Sequence, residues 1–173
     1  MRALAFALAL LFAFPSAILG HWPVRDGRVS QWFGRHHRGV DIAAPRGTAI
    51  RPIDNGTVVY AGWRNNCGGW QVWIRHNRIY SAYYHMSRRP IVERGDTVTT
   101  RTRIGIVGAT GCSTGPHVHI EVWKGYPWRA GSTRTNPVPY FASHPTATPK
   151  PVEPTPTPAN WTQLLPRGRL VPL

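Results

Sequence analysis

The sequence predicts an all-β fold built from antiparallel sheets. No stretch of ten or more residues shows a strong helical period, and apolar and polar side chains alternate over 72–75 and again over 118–123. Short runs of β-branched and aromatic residues also recur between Gly, Pro and Asn, at 56–62, 70–76, 79–85 and 104–108. Together these patterns favour antiparallel sheets packed as a sandwich or as a half-open barrel.

Composition divides the 173 residues into four segments. Residues 1–20 combine a basic start, an apolar run and a small-residue exit, which is typical of a secretory signal peptide. The alternative is an uncleaved membrane anchor, but the run is short for a bilayer span. Residues 21–142 read as one β domain, 143–159 as a Pro/Thr-rich linker, and 160–173 as a short tail expected to be flexible. We therefore expect a monomer that is secreted or held in the cell envelope, with no membrane span after signal cleavage.

The chain is strongly basic. Its 21 Lys and Arg residues face only 7 Asp and Glu, for a formal charge of +14. Such a surface attracts polyanions, of which anionic wall polymers and lipid headgroups are favoured over nucleic acid for an exported chain. Adaptation of a secreted protein to its medium is the alternative explanation.

Two cysteines, Cys67 and Cys112, each lie among glycines. Export permits a disulfide, and an even count is consistent with one. A Cys67–Cys112 bridge would attach a loop to the segment just before His117. The competing interpretation makes the two thiolates zinc ligands.

A cluster of histidines and acids suggests a zinc site. Because side chains on a strand alternate between faces, His117, His119 and Glu121 share one face. His37 and Asp41 flank a glycine upstream and supply further ligands of the kind zinc prefers. Spacing alone leaves open whether one or both of the downstream histidines bind the metal. A histidine that does not bind is free to handle protons, and His85 is a second candidate for that work.

Three short elements resemble one known family. They are His37-Arg38-Gly39-Val40-Asp41, Tyr83-Tyr84-His85 and Ser113-Thr114-Gly115-Pro116-His117-Val118-His119. In this order they are similar to the motifs of the lysostaphin-type (LytM-like) zinc metalloendopeptidases, which cut peptidoglycan peptides. The likeness extends over about 29–123. It implies the half-open, duplicated-hybrid-motif-like β fold of that peptidase domain.

The resemblance also implies roles for the site residues. His37, Asp41 and His119 would bind one Zn²⁺ ion, and His117 and His85 would be the catalytic histidines beside it. The implied substrate is the peptide cross-link of peptidoglycan. A catalytically silent relative that binds wall or activates another hydrolase is the alternative, and charge alone would suggest a polyanion-binding module.

Glu121 is a further candidate. It lies on the same face of its strand as His117 and His119, where its carboxylate could contact the ring nitrogen of a metal-binding imidazole that does not bind the metal. A simple structural or solvent-facing role is the alternative.

Overall fold

The computed structural model describes residues 22–141. The signal peptide, linker and tail predicted at 1–20, 143–159 and 160–173 lie outside this range, as do the first and last residues of the predicted 21–142 domain. Across residues 22–141, no helix is long and apolar enough to cross a membrane.

Ten strands and one short 3-10 helix form the described domain. The strands are β1 (Arg28–Gln31), β2 (Val40–Ala43), β3 (Ala49–Ile50), β4 (Gly56–Arg64), β5 (Gly69–Arg75), β6 (Tyr80–Met86), β7 (Thr97–Val98), β8 (Gly105–Ile106), β9 (His117–Lys124) and β10 (Thr133–Thr135), and the 3-10 helix spans Val138–Tyr140.

Eight of the strands make one open sheet in the order β1-β2-β9-β6-β5-β4-β7, with β10 pairing beside β2 along the same edge of β9. The other two, β3 and β8, pair with each other. Every ladder is antiparallel. The prediction of an all-β antiparallel fold is therefore confirmed, and within residues 22–141 the large sheet does not close into a barrel.

One face of the large sheet carries the aliphatic core. On β9 the core side chains are Val118, Ile120 and Val122, each 0% exposed. They pack with residues from the small sheet, including Ile50, so the small sheet covers this face. Each fully buried Val or Ile contributes about 1.5–3 kcal/mol through the hydrophobic effect.

The opposite face of the large sheet is aromatic and charged. A second cluster centred on Trp73, Tyr84 and Trp123 packs there, joined by partly buried aromatic residues such as Tyr126. His117, His119 and Glu121 alternate with the core residues along β9, so they lie on this second face.

A disulfide joins Cys67, at the tip of the β4–β5 hairpin, to Cys112, in the loop before β9. The bridge spans 45 residues of sequence, and the two Cα atoms lie 4.7 Å apart. With both cysteines joined, the described part of the chain has no free thiol to act as a zinc ligand.

Candidate metal centre

Two imidazoles and one carboxylate converge between β2 and β9. The ligand atoms of His37, Asp41 and His119 all lie within 4.8 Å of one another. Asp41 and His119 are directly paired in the β2–β9 ladder, which puts their side chains on one face of the sheet. His37 reaches them from the 32–39 loop, where its Nδ1–H donates to the Trp32 carbonyl oxygen over 3.0 Å. Its Nε2 is thereby left facing the other two residues.

The spacing of these atoms fits a small tetrahedral ion. His37 Nε2 lies 3.1 Å from His119 Nδ1 and 3.1 Å from Asp41 Oδ1. Donor atoms about 2.0–2.1 Å from one zinc ion stand about 3.3 Å apart. His119 Nδ1 and Asp41 Oδ1 are closer, at 2.6 Å, as a direct hydrogen bond requires. Two nitrogens and one carboxylate oxygen also match the ligand chemistry of zinc, so the residues present fit this metal.

Gly39 makes the convergence sterically feasible. A Cβ on Gly39 would stand 2.5 Å from His119 Cε1 and 2.6 Å from the Ile120 carbonyl oxygen. A side chain at this position would therefore collide with a proposed ligand and with the backbone of β9. The glycine between His37 and Asp41 thus allows close approach of the loop to the strand. Its φ is not positive, so lack of a side chain and not an unusual backbone conformation is what the position requires.

Charge at the centre favours a cation. Burial alone would raise the pKa of Asp41, but its hydrogen bond to His119 and the neighbouring imidazoles hold that pKa below its usual value. Burial alone would lower the pKa of His119, yet its hydrogen bond to Asp41 and the nearby carboxylate of Glu121 raise it to about 9. The two carboxylates therefore attract positive charge strongly at this ring. A metal ion would compete with a proton for the lone pair on Nδ1 of His119.

Glu121 lies behind His119, on the side away from Asp41. Its Oε1 is 3.6 Å from His119 Nε2, while Asp41 faces Nδ1 of the same ring. Burial alone would raise the pKa of Glu121, but the hydrogen bond from Tyr84 and the interactions with His119 and Arg134 together outweigh burial and lower it. The imidazole of His119 is thus held between two carboxylates, one on each ring nitrogen.

Two further histidines border the cluster. His117 Nδ1 lies 2.9 Å from the Gly115 carbonyl oxygen, and its Nε2 lies 3.8 Å from Asp41 Oδ1. The ring of His85 is 4.8 Å from that of His117, measured between centroids. His85 Nδ1–H donates to the Thr110 carbonyl oxygen over 2.7 Å. Mainly through burial, the pKa of His85 falls to about 4, so this ring is neutral at pH 7.

The His85 backbone is held in an unusual conformation. Its φ is 62°, in the left-handed region that non-glycine residues rarely adopt. The His85 amide donates to the Gly68 carbonyl oxygen over 2.9 Å, which ties it to the β4–β5 hairpin tip. Strain of this kind persists where surrounding contacts over-determine the geometry, and it concentrates at functional sites.

Comparison with known proteins places this arrangement in a family. The model of Peptidase family M23 matches residues 35–137. The chain belongs to peptidase family M23. It is 42% identical over 86 residues to the peptidoglycan DD-endopeptidase ShyC of Vibrio cholerae, covering 49% of this chain and 19% of that protein. It is 34% identical over 111 residues to lysostaphin of Staphylococcus simulans, covering 64% of this chain and 22% of that protein. The matched segments therefore span about a fifth of these relatives.

The solved structures agree with the sequence comparisons. The catalytic domain of Staphylococcus simulans lysostaphin superposes with a TM-score of 0.62 at 30% identity, covering 67% of this chain and 92% of that domain. The resemblance to this family that the sequence indicates is thus confirmed. The M23 match also includes the residues to which the resemblance assigns metal binding or catalysis, namely His37, Asp41, His85, His117 and His119.

Sequence reasoning gave no role to three residues of this region. Tyr84 donates to Glu121 Oε2 over 2.6 Å, and Trp128 Nε1–H donates to the Tyr84 hydroxyl over 3.1 Å. Arg134 Nε lies 2.8 Å from Glu121 Oε1. The cross-strand pairing of Tyr84 with His119 could have drawn attention to the tyrosine once the sheet order was known. Trp128 and Arg134 follow the last motif and carry no local sequence signal.

Proposed function

We propose that this chain is an exported zinc-dependent endopeptidase that hydrolyses peptide cross-links of peptidoglycan. The observation that carries the proposal is the convergence of His37, Asp41 and His119 beside two further histidines. Relatives described as a peptidoglycan DD-endopeptidase and as a glycyl-glycine endopeptidase support the substrate class. A neighbouring structure described as a zinc-containing peptidase supports the metal.

Three side chains would hold one zinc ion: His37 through Nε2, Asp41 through Oδ1 and His119 through Nδ1. Three protein ligands leave a fourth position for water or substrate, as catalytic zinc sites require. Zinc in this position would supply Lewis-acid chemistry, polarising a peptide carbonyl and acidifying water.

His117 is the proposed general base. Its Nδ1–H faces the Gly115 carbonyl oxygen, which can only accept, so in the neutral ring Nε2 carries the lone pair. That nitrogen points toward the metal ligands. It would take a proton from the attacking water as the oxygen bonds to the carbonyl carbon. The same nitrogen would then give the proton to the leaving amine as the C–N bond breaks.

His85 is proposed to share this proton work. With Nδ1–H bonded to Thr110 and the ring neutral at pH 7, its Nε2 is an acceptor in the resting protein. An acceptor there can orient water, and it can donate to a developing oxyanion only after receiving a proton. The geometry therefore supports a proton-sharing role for His85 over that of a permanently charged oxyanion donor.

Export and wall attachment complete the proposal. The basic, apolar and small-residue pattern of 1–20 supports export to the cell envelope or beyond. The formal charge of +14 supports retention on anionic wall polymers. Both are properties of the whole chain and can be measured independently of hydrolysis.

The test is to purify the chain from an oxidising compartment of an expression host and measure zinc and hydrolysis together. Mass spectrometry of the product records whether residues 1–20 are removed. Release of new amino groups is followed with two purified walls, one directly cross-linked through D-alanine and one bridged by glycine. We expect one zinc per chain and release from at least one wall. The His117→Ala variant should retain zinc but hydrolyse about 10²–10⁴-fold more slowly.

Two other outcomes would contradict the proposal. Zinc without release from either wall would indicate a silent, wall-binding relative. Absence of zinc from the folded protein would overturn the ligand assignment itself.

A further inference from the structure

Arg134 makes an unusual set of contacts for a residue outside the three motifs. It lies on β10 opposite Trp123 of β9. Its guanidinium carbon is 4.4 Å from the centroid of the Trp123 ring and 4.5 Å from that of the Trp128 ring. Cation–π contact of this kind is strongest with tryptophan. The two indoles therefore restrict a side chain that would otherwise sample many rotamers.

The restricted guanidinium forms an ion pair with one carboxylate. Arg134 Nε lies 2.8 Å from Oε1 of Glu121, whose side chain is 6% exposed. A buried carboxylate is costly unless it is paired and its lone pairs are satisfied. Glu121 Oε2 accepts from the Tyr84 hydroxyl at 2.6 Å and from Trp123 Nε1–H at 2.8 Å. Oε1 is thus the oxygen shared between Arg134 and His119.

The contacts continue to the metal centre. Glu121 Oε1 lies 3.6 Å from His119 Nε2, and His119 Nδ1 lies 2.6 Å from Asp41. A carboxylate facing Nε2 favours a proton on that nitrogen, which leaves Nδ1 as the metal-binding atom. Any movement of Glu121 would therefore be transmitted to a proposed zinc ligand.

Trp128 supports the same arrangement from the β9–β10 loop. Its φ is 63°, in the left-handed region, and its side chain is held by the hydrogen bond to the Tyr84 hydroxyl. The residue is 47% exposed, so burial of the indole does not by itself account for this conformation. Its indole instead contacts Arg134 and the Tyr84 hydroxyl.

We propose that Arg134, held against Trp123 and Trp128, is a positioning residue that orients the ligand His119 through Glu121. The inference rests on the proposed zinc site. It assigns to a residue far from the motifs a role in metal affinity: Arg134 touches neither metal nor substrate, and it acts by fixing Oε1 of Glu121.

The test is a double-mutant cycle on zinc affinity, measured with the purified full chain by competition against a chromogenic chelator. We expect Arg134→Met to weaken zinc binding about 10–100-fold, as loss of such supporting groups does in other metal sites. Arg134→Lys keeps the charge but not the planar stacking, so its loss should be smaller. In a Glu121→Gln background, Arg134→Met should have little further effect, because the charged carboxylate that Arg134 pairs with has become a neutral amide.

Arg129→Met is the matched control. Arg129 lies on the β9–β10 loop beside Trp128, and its guanidinium carbon is 5.2 Å from the centroid of the Tyr126 ring, so the change removes a nearby cation–π contact that does not involve Glu121. We expect zinc affinity within twofold of the parent. Thermal unfolding of the metal-free forms reports whether each variant folds. If Arg134→Met does not fold, the same cycle is measured with Arg134→Lys.

Two results would overturn the inference. One is a zinc affinity of Arg134→Met within twofold of the parent. The other is an equal loss in the Glu121→Gln background, which would mean that Arg134 acts through general packing. Failure of the proposed function is distinguishable, because the parent protein would then bind no zinc or release no amino groups from wall.

Discussion

The two faces of β9 carry opposite chemistry on one strand. Val118, Ile120 and Val122 are 0% exposed and join the aliphatic core. His119 and Glu121, which alternate with them, hold hydrogen bonds and ion pairs on the other face. The period of two in a β-strand is what sorts the residues.

This difference separates stability from chemistry. The core face holds the strand in place without specifying what it does. The site face holds groups that are costly to bury, and each is paired with a group from a different element: Asp41 from β2, Tyr84 from β6 and Arg134 from β10. A site built on a well-packed strand keeps its geometry because the core face resists movement.

Adjacent substitutions on opposite faces give the sharpest test of this comparison. We expect His119→Ala to abolish zinc binding and hydrolysis, because it removes a proposed ligand. Ile120→Ala should lower the free energy of unfolding by about 2–5 kcal/mol while the folded fraction still binds one zinc. Denaturant unfolding and zinc content of both variants measure the two effects. A His119→Ala protein that keeps its zinc, or a folded Ile120→Ala protein without it, would break the separation.

A second, smaller effect concerns the two loops that hold His85, a proposed catalytic histidine. His85 is tied to Gly68 and to Thr110, on the two segments that the Cys67–Cys112 bridge joins. His37, Asp41 and His119 lie on and beside the β2–β9 ladder instead.

We therefore expect replacement of both cysteines by serine to lower the free energy of unfolding by about 2–4 kcal/mol. Hydrolysis per zinc-loaded molecule should fall several-fold, with zinc stoichiometry unchanged. Steady-state rates at matched zinc loading check this. An unaltered rate would show that the backbone hydrogen bonds, such as Cys112 N–H to the Cys67 carbonyl oxygen at 2.8 Å, hold the loops unaided.

Local periodicity predicts much of this fold. The runs at 56–62, 70–76 and 79–85 correspond closely to β4, β5 and β6. The run at 104–108 is less informative, because only Gly105–Ile106 pair as a strand, with the two-residue β3. A ladder that short depends on what packs around it, which local sequence does not encode.

The site residues likewise divide into those that the sequence predicts and those that only the structure reveals. The residues within the three motifs could be found from the sequence, and the structure brings His37, Asp41, His85, His117 and His119 to one place. Arg134 could not be found, because it reaches Glu121 only through the pairing of β10 with β9. The reason for Gly39 also needed the structure, since its missing side chain makes room for a strand 80 residues later in the chain.

The smallest expected effect concerns His76, a buried histidine that is not part of the proposed metal centre. This ring is 6% exposed, and its Nδ1–H donates to the Asn55 carbonyl oxygen over 2.8 Å. Its Nε2 lies 2.8 Å from the Ser81 hydroxyl, which lies 3.0 Å from that of Tyr83. Because Nδ1 carries the proton donated to Asn55, the neutral ring has its lone pair on Nε2, facing the Ser81 hydroxyl.

Burial lowers the pKa of His76, with the hydrogen bond to Asn55 and the charge of Asp54 opposing it less strongly. The folded pKa is therefore below the unfolded value of about 6.5, and the unfolded chain takes up the proton first as the pH falls. The contribution to stability is complete above pH 6.5 and is lost as the pH falls toward the folded pKa, by at most about 1.4 kcal/mol per pH unit.

Denaturant unfolding of the metal-free protein at pH 7.5 and 5.5, compared with His76→Gln, isolates this effect. The other histidines titrate equally in both proteins, so the difference between them should shrink or reverse at pH 5.5. Parallel losses of stability would mean that His76 is protonated in the folded state at pH 5.5. In that case the acid sensitivity of the domain would arise from groups other than His76.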